Sequence, residues 1–480
     1  MHIILYVLDA LRADHLGCYG YGRNITPHLD QLAAAGVVFE NCFTSTTWTR
    51  PVAASILTGA YPTVHQATTR DNMFSVALKR LPEMLKAGGF ETAAFNTMGN
   101  IAGEVGFSRG FDRYYDLFRE PGLVAKRHRL NAAREGLLHT AETEIALPLA
   151  EDINDYLLPW LAERKAQNTF SFVWSIETHE PYGAPEPFRR YAGPVRQPGE
   201  GESDDIRSAG KADRNRLMNL YDDGILYNDH CLGQLVTELK QLGIYDETLF
   251  IVVGDHGEAF YEHGFYTHGH PPYEELIHVP LIMKFPGGAY AGQREAALVE
   301  LIDVAPTVTA VAHLPQSADT RRFIQGKNLL PLLNNEAEQV RTYTFSDTQS
   351  LAIHNRYLSV RSREWKYMQI RKPQRNRQTL RKTVQHVLAR GLLWDIVRRP
   401  RHFWRSYFRS SNEFLFNLPA DPAEQHNALV EHPEIAQQLR QVLEQWLAQN
   451  EHLAQQLGDE PLTYHESEAL QKHLEKLGYL

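Results

Sequence analysis

The sequence predicts an α/β fold, in which a doubly wound, mostly parallel sheet is flanked by helices and followed by a small C-terminal α+β subdomain. Two observations lead to this prediction. First, IILYVL at residues 3–8 and TFSFVWSI at residues 169–176 are unbroken apolar runs, which are typical of strands buried on both faces. Second, such runs alternate with segments of helical periodicity, as they do where helices cover both faces of a parallel sheet.

The elements of the N-terminal domain follow one another in this alternating order. Its predicted helices cover residues 27–35, 76–87, 141–166 and 215–243. Its predicted strands cover residues 3–8, 37–39, 92–95, 169–176, 248–255 and 278–286. A chain of 480 residues is long enough for one large α/β domain with an appendage, and we place this domain at residues 1–340.

The pattern of the sequence changes after residue 340. Residues 357–371 alternate between apolar and polar side chains as a pair of strands does, and EFLFNL at residues 413–418 predicts a further strand. Residues 433–449 have the apolar spacing of a helix. These elements predict an α+β subdomain at residues 341–480.

A basic insertion interrupts this subdomain at residues 371–409, where twelve Lys or Arg residues accompany one acidic residue, Asp395. Aromatic and apolar side chains are mixed with the positive charges, which suits a helix that lies on an anionic lipid surface. The same composition suits an insertion that packs on the domain and leaves a solvated basic rim. The first interpretation predicts peripheral membrane contact, and both interpretations stay open.

Composition and charge exclude several classes of protein. A net charge of −9 gives no general attraction to nucleic acid, and no run of about 18 apolar residues predicts a membrane-spanning helix. The three cysteines are too few for a disulfide framework and fit a reducing compartment. The N-terminal MHIILYVLDALRAD has no basic region before its apolar run, which indicates a strand rather than a signal peptide. We therefore expect a cytoplasmic protein, with the inner face of the membrane as the alternative raised by residues 371–409; the oligomeric state is not indicated.

Polar side chains follow three of the predicted strands. Asp9, His179 and the pair Asp255-His256 stand at or just beyond strand ends, where ligands bind in open α/β sheets. A single aspartate in such a place is commonly a turn residue. Because an Asp-His pair and a carboxylate from a neighbouring strand can share one cation, the combination predicts a metal site. Three further histidines in EHGFYTHGH (residues 262–270) strengthen the prediction.

The segment STTWTRPVAASILTG (residues 45–59) raises a separate question about Thr49. Threonine just before a proline is common at the start of a helix, where its hydroxyl caps free N–H groups. The alternative is that Thr49 is a nucleophile. The two roles are compatible, because a helix N-terminus also attracts anions and would hold an anionic ester beside the hydroxyl.

The chain resembles the sulfatase family of the alkaline phosphatase superfamily. The resemblance runs almost end to end, and its most specific segments are VLDALRADHLGCYGYGRN, WTRPVAASILTGAYPTVH, ETHEPY, VVGDHGEAFYEHG and LFNLPADPAEQHNALV. The family places its nucleophile ten residues before the glycine that ends the second of these segments. Counting back from Gly59 gives Thr49, so the resemblance favours attack.

The resemblance implies roles for the other candidate residues. Metal binding is implied for Asp9, Thr49, Asp255 and His256. Catalysis is implied for Thr49, His179 and His268, and substrate binding for Arg50, His179 and His268. Thr is a weak nucleophile, and coordination to a metal ion would activate its oxygen.

The sequence also departs from the usual family pattern. Thr49 replaces the Cys or Ser that becomes formylglycine, Ala53 replaces the arginine of that motif, and Ala10 replaces a second aspartate. A Gly-Lys-x-His segment expected near residues 97–103 is missing, and His268 stands where the family has a lysine. These features resemble branches that act on phosphorus. We therefore predict a metal-dependent hydrolase or group transferase that cleaves a phosphodiester or phosphonate-type ester through a Thr49-linked intermediate. The alternatives are a sulfuric ester hydrolase and a catalytically inactive binding homologue.

The predicted ligands follow from the same residues. We expect one divalent cation, and an imidazole ligand favours Mn²⁺ or Zn²⁺, although calcium is common in the family and Ca²⁺ and Mg²⁺ stay open. The expected partner is an anionic ester substrate, for which lipid-linked and glycan-linked alcohols are both open.

Overall fold

The computed structural model describes residues 1–70, 72, 74–126, 147–193, 213–315, 317–350, 355–372, 412–458 and 466–477. The basic insertion predicted at residues 371–409 lies outside the described residues except for its first two. Both of its interpretations therefore stay predictions. The first part of the helix predicted at residues 141–166 is also outside them.

A mixed sheet of eight strands forms the centre of the N-terminal domain, as predicted. Its strands are β1 (His2–Leu8), β2 (Val37–Phe43), β3 (Glu91–Asn96), β4 (Arg113–Asp116), β5 (Thr169–Ser175), β6 (Thr248–Gly254), β9 (Leu281–Lys284) and β10 (Gln293–Glu300). A two-stranded ribbon, β7 (Ala259–Phe260) and β8 (Tyr266–Thr267), lies outside it. The order is β10-β2-β9-β6-β1-β5-β3-β4. Strand β9 runs antiparallel to β2 and β6, whereas the other neighbours are parallel.

Helices cover both faces of this sheet. The helices of the N-terminal domain are α1 (Pro27–Ala34), α2 (Thr49–Thr58), α3 (Pro62–His65), α4 (Leu81–Ala87), α5 (Ala150–Ala162), α6 (Arg214–Gln241), α7 (Glu274–Ile277), α8 (Val304–Val311), α9 (Ala318–Phe323) and α10 (Leu330–Leu333). Along β1, Ile3, Leu5 and Val7 pack with residues of α2, α4 and α8. The alternate residues Ile4 and Tyr6 pack with α1, α5 and α6. Burial on both faces explains why the strand sequences are continuously apolar.

Within the described residues, the helix predicted at residues 141–166 spans only Ala150–Ala162, and two other predicted helix bounds were wrong for local reasons. The helix predicted at residues 76–87 begins only at Leu81, because Pro82 is tolerated only in a first turn. Its N-terminus is closed by Glu83, whose carboxylate accepts from the Arg80 N–H at 3.0 Å. The helix predicted at residues 433–449 continues to Leu457, where Gly458 ends it in a left-handed conformation with φ of 71°.

A second, antiparallel sheet follows in the order β11 (Thr344–Gln349), β12 (Arg356–Arg361), β13 (Trp365–Arg371) and β14 (Glu413–Asn417). The long helix α11 (Pro433–Leu457) packs on it through Leu443 and Trp446. The last described helix, α12 (Glu468–Lys476), returns to the N-terminal core, where Leu470 and Leu474 are buried. In the described part of the chain, no helix is both long enough and apolar enough to cross a lipid bilayer.

Candidate active site

The strand register brings two carboxylates together at one edge of the sheet. Leu8, the last residue of β1, pairs with Gly254 of β6 and with Ser175 of β5. The next residues along β1 and β6 are Asp9 and Asp255, so their backbones leave the sheet side by side. Both side chains are fully buried. The expectation that these residues meet beyond the carboxyl ends of the strands agrees with this arrangement.

His256 completes a cluster with the two carboxylates. Its Nε2 lies 3.3 Å from Asp255 Oδ2 and 3.8 Å from Asp9 Oδ1. The candidate ligand atoms of the three residues all lie within 4.8 Å of one another. His256 Nδ1 donates to the carbonyl oxygen of Gly257 at 2.9 Å, which leaves the lone pair of Nε2 on the side of the carboxylates. One nitrogen and two carboxylate oxygens at this spacing suit a shared divalent cation.

In the described structure, one oxygen of each carboxylate accepts hydrogen bonds and the other accepts none. Asp9 Oδ2 accepts from Trp174 Nε1 at 2.8 Å, and Asp255 Oδ1 accepts from the backbone N–H groups of Ala10 and His256, each at 2.8 Å. Within the described residues, Asp9 Oδ1 and Asp255 Oδ2 are buried and have no hydrogen-bond partner. Because an unpaired buried carboxylate oxygen is costly, these atoms fit a bound cation.

The acid–base properties of the cluster point the same way. Burial, with repulsion from Asp255, holds the pKa of Asp9 well above its usual range, and burial raises the pKa of Asp255 to about 8. Burial lowers the pKa of His256, although the nearby Asp9 opposes this effect. A cation in the cluster would reverse the two carboxylate shifts, because it stabilises their charged forms.

Thr49 is the first residue of α2, and its side chain reaches this cluster. Its Oγ1 lies 3.5 Å from His256 Nε2, and both residues are fully buried. The predicted capping role is wrong, because the N-cap position belongs to Trp48, which makes no side-chain capping bond. The N-terminus of α2 is therefore adjacent to the carboxylates and imidazole, in the position of an anion site.

Hydrogen bonds from distant segments hold the chain just before Thr49. The Thr47 N–H donates to Thr348 Oγ1 of β11 at 3.0 Å. The Gly269 N–H donates to the Thr47 carbonyl at 2.7 Å, and Thr47 Oγ1 donates to the His270 carbonyl at 2.9 Å. The start of α2, the loop that contains His268 and the C-terminal sheet are thus bonded to one another.

His179 and His268 lie beside the cluster. The ring of His268 is 4.4 Å from that of His256 and 4.8 Å from that of His179, measured between centroids. Burial lowers the pKa of His179 to about 3, and burial with the neighbouring His256 holds the pKa of His268 well below its usual value. Burial therefore disfavours the charged form of both rings.

Sequence reasoning missed the carboxylate that contacts His268. Glu258 Oε1 lies 3.2 Å from His268 Nδ1, and Glu258 Oε2 accepts from the Tyr182 hydroxyl at 3.0 Å. Glu258 is fully buried, and burial with the nearby Glu180 raises its pKa well above the usual range. Glu258 is the last residue of GDHGE (residues 254–258), three residues beyond the predicted strand end at residue 255, so the strand end did not indicate it.

The other candidates contact different parts of the fold. Buried Arg50 donates from Nε to the Asn100 carbonyl at 2.8 Å and from Nη1 to the Arg70 carbonyl. His263 lies 2.7 Å from Glu275 Oε1 and stacks on Tyr273. Arg50 thus lies against the segment around residue 100, whereas His263 belongs to the contact with the C-terminal subdomain.

Comparisons with known proteins connect this site to a family. The family model described as "Sulfatase" matches residues 1–314, and the model for the C-terminal region of N-sulphoglucosamine sulphohydrolase matches residues 261–380. An N-acetylglucosamine-6-O-sulfatase of Bacteroides thetaiotaomicron is 23% identical over 403 residues, which are 70% of this chain and 71% of that protein. An N-acetylgalactosamine-6-O-sulfatase of the same organism is 23% identical over 528 aligned positions, with 92% of each chain covered. The structure of a phosphonate monoester hydrolase of Agrobacterium radiobacter superposes with a TM-score of 0.68 at 18% identity, over 94% of this chain and 96% of that one.

These relatives overturn the prediction of a phosphodiester or phosphonate-type ester as the substrate. Both Bacteroides relatives, which cover 70% and 92% of this chain, are named as sulfatases of amino-sugar sulfate groups. The likeness to the phosphonate hydrolase, at 18% identity, establishes the fold alone. The departures at Ala10 and Ala53, on which that prediction rested, do not by themselves identify the group that the enzyme removes.

The model match covers well over half of the chain and includes the strand ends, the start of α2 and the histidine loop described above. Members of this family generally use a divalent metal ion, and the cluster of Asp9, Asp255 and His256 has the composition to hold one. The chain belongs to the sulfatase family of the alkaline phosphatase superfamily and is an ester-hydrolysing enzyme of that family.

Proposed function

We propose that this enzyme is a sulfuric ester hydrolase, which cleaves an alcohol sulfate into the alcohol and inorganic sulfate. The observation that carries the proposal is the position of Thr49. Its hydroxyl stands at the N-terminus of a fully buried helix, 3.5 Å from an imidazole nitrogen of the candidate metal cluster. A sulfate ester bound there would meet a nucleophile, helix N–H groups and a cation at the same place. The names of the curated relatives support sulfate as the group removed.

The metal ligands in this proposal are Asp9, Asp255 and His256, with Thr49 Oγ1 as the fourth. Two carboxylates and one imidazole suit Mn²⁺ or Zn²⁺ better than the purely oxygen-binding ions, and we propose one of these two. When bound, the ion lowers the pKa of the Thr49 hydroxyl and neutralises charge on the ester. Trp174 and the backbone N–H of Ala10 orient the two carboxylates, because each donates to the oxygen turned away from the ion.

The remaining residues hold the anionic sulfate. We assign hydrogen bonds to its oxygens to the first N–H groups of α2 and to the ring N–H groups of His179 and His268. Arg50, which follows Thr49 in the sequence, directs its buried guanidinium to the carbonyls of Asn100 and Arg70, so we assign it no hydrogen bond to the sulfate. A bound anion raises the pKa of both histidines, because the protonated ring then gains an opposite charge.

The reaction then needs two displacements at sulfur. Thr49 Oγ, after losing its proton to water, forms a bond to sulfur while the bond from sulfur to the alcohol oxygen breaks. That oxygen takes a proton from the imidazolium form of His179 or His268, which the bound anion favours, and the alcohol leaves. The histidine then regains a proton from the water that accepted the proton of Thr49. Water next attacks the sulfur of the Thr49 sulfate ester, which restores the Thr49 hydroxyl and releases sulfate and a proton.

A panel of matched esters tests the proposal. The purified protein is assayed with p-nitrophenyl sulfate, p-nitrophenyl phenylphosphonate and bis-p-nitrophenyl phosphate, in separate reactions with Mn²⁺, Zn²⁺, Ca²⁺ and Mg²⁺. We expect kcat/KM for the sulfate to exceed that for the other two esters by at least about tenfold, or about 1.4 kcal/mol in barrier. A faster phosphorus ester would overturn the proposal. Binding of metal and sulfate without turnover of any ester would instead indicate an inactive binding homologue.

A further inference from the structure

A hydrogen bond behind His268 joins the site to a carboxylate outside the metal cluster. Glu258 Oε1 lies 3.2 Å from His268 Nδ1, and the carboxylate is fully buried. The backbone of Glu258 is also held, because its carbonyl accepts from Arg12 Nη1 at 3.0 Å. A side chain at the preceding Gly257 would overlap the carbonyl oxygen of Glu275, so the chain passes close to α7 here. Glu258 therefore has little freedom to move away from His268.

The loop that contains His268 is held as firmly as the carboxylate. Thr267 and Gly269 on either side of it have positive φ values of 68° and 75°. The Gly269 N–H is bonded to Thr47, two residues before the nucleophile. These contacts fix the backbone, but a histidine ring can still rotate and exchange the places of its two nitrogens. The bond to Glu258 removes that freedom, because it engages Nδ1 and thereby sets the direction in which Nε2 points.

We infer that Glu258 is a positioning residue, which fixes the ring of His268 so that Nε2 meets the sulfate ester. The inference rests on the proposed function, in which His268 touches the substrate. Nε2 carries a proton to donate either when Glu258 is protonated and donates to Nδ1 or when the ring holds both protons, and each arrangement fixes the ring. Outer partners that orient an imidazole in this way commonly change activity by 10–100-fold when they are removed.

A purely packing role for Glu258 predicts different behaviour. The Tyr182 hydroxyl donates to Glu258 Oε2 at 3.0 Å, so the carboxylate is also part of a buried network that does not include His268. If only this network mattered, removal of the Tyr182 hydroxyl would have the same effect as removal of the carboxylate. If the contact with His268 matters, the two changes differ.

The test compares variants that remove the two hydrogen bonds of Glu258 separately or together. Glu258→Ala removes both hydrogen bonds, Glu258→Gln keeps a partner for His268 Nδ1 in either proton arrangement, and Tyr182→Phe removes only the second bond. His268→Ala and the double variant with Glu258→Ala complete a double-mutant cycle. Each protein is assayed with aryl sulfates whose leaving phenols differ in acidity, and its melting temperature and metal content are measured.

We expect kcat of Glu258→Ala to fall by about 10–100-fold with an unchanged metal content, and the fall to be steepest for the least acidic phenols, which need a proton most. Glu258→Gln should stay within about fivefold and Tyr182→Phe within about threefold of the parent enzyme, and Glu258→Ala should add nothing in the His268→Ala background. Equal losses for Tyr182→Phe and Glu258→Ala, or additive losses in the cycle, would overturn the inference. If the parent enzyme hydrolyses no sulfate ester, the proposed function itself is refuted. The parent enzyme is assayed first, so this result is distinguished from a failure of the inference about Glu258.

Discussion

The candidate site has a metal end and an anion end, and the two are built differently. The metal end consists of Asp9, Asp255 and His256, which directly follow neighbouring strands β1 and β6. The anion end consists of Thr49, at a helix start, and of His179 and His268, which lie in loops. Strand register fixes the first set, whereas contacts between segments far apart in the sequence fix the second. The metal end should therefore tolerate changes in loops that the anion end does not.

The departures from the family sequence pattern also differ between the metal end and the anion end. Departures at the metal end include Ala10, whose backbone N–H still donates to Asp255 at 2.8 Å. At the anion end, Ala53 is buried within α2, the segment around Asn100 packs under Arg50, and His268 has a carboxylate partner. In the proposed site, Asp9, Asp255 and His256 would hold the metal ion, and His268 with its carboxylate partner would contact the anion.

The largest effect is expected from breaking the metal end. Asp255→Ala and His256→Ala should each lose bound metal and reduce sulfate ester turnover by at least about 10³-fold, because they remove a ligand and leave the activation of Thr49 incomplete. Metal content by elemental analysis, turnover with added metal and folding by circular dichroism are the measurements. His230→Gln, a change to a histidine outside the cluster on α6, is the control. Full metal content in both ligand variants would place the ion elsewhere.

A smaller effect should come from loosening one ligand. Trp174→Phe removes the indole N–H that donates to Asp9 Oδ2 at 2.8 Å and keeps an aromatic ring in the core. We expect the Kd for the metal to rise by about 10–100-fold, because the partner that orients Asp9 is lost. Calorimetric titration of metal into the stripped protein measures this. Trp160→Phe, at a buried indole on α5, is the control, and an equal change in both variants would mean that the effect is general loosening of the core.

The smallest effect is expected at the anion end, from a bond to the C-terminal sheet. Thr348→Val keeps the shape of the side chain but leaves the buried Thr47 N–H without its acceptor at 3.0 Å. We expect a loss of about 1–3 kcal/mol in the free energy of unfolding and a fall in kcat of about tenfold, with the Kd for the metal unchanged. Urea unfolding and steady-state kinetics give the two values.

Ser346→Ala is the matched control for this change. Ser346 lies two residues earlier on the same strand and donates to the Thr44 carbonyl at 2.9 Å, farther from Thr49. It should lower the free energy of unfolding by a similar amount and leave kcat within about twofold. If the Ser346 variant lost as much kcat as the Thr348 variant, the segment before Thr49 would not position the nucleophile specifically.

The difference between the two ends also explains what the sequence could predict. A parallel sheet places the residues after its strands at one edge, so the neighbourhood of Asp9, Asp255 and His256 followed from the apolar runs and the polar residues that end them. The mostly parallel sheet was predictable for the same reason, because strands buried on both faces are continuously apolar. The structure adds the strand register of β1 and β6, which makes Asp9 and Asp255 direct neighbours.

The anion end could be predicted only in part, because its contacts are not local. Nothing in the sequence near Thr47 indicates a bond to Thr348, which lies 301 residues away. The pairing of Glu258 with His268 depends on how the ribbon of β7 and β8 turns the chain back. The capping role expected of Thr49 failed because a cap depends on where the helix begins, and a shift of one residue to Trp48 changes the role.

Thr49, the proposed nucleophile, allows the most direct test. Thr49→Ala and Thr49→Ser are compared with the parent enzyme for hydrolysis of p-nitrophenyl sulfate, with metal content measured in each. Because Thr49 is not the helix cap, Thr49→Ala should cost less free energy of unfolding than the roughly 1 kcal/mol of a lost cap. We predict that Thr49→Ala retains metal but loses at least about 10³-fold in kcat, while Thr49→Ser keeps measurable turnover. A Thr49→Ala enzyme that binds metal and hydrolyses the sulfate within about tenfold of the parent rate would contradict attack by Thr49.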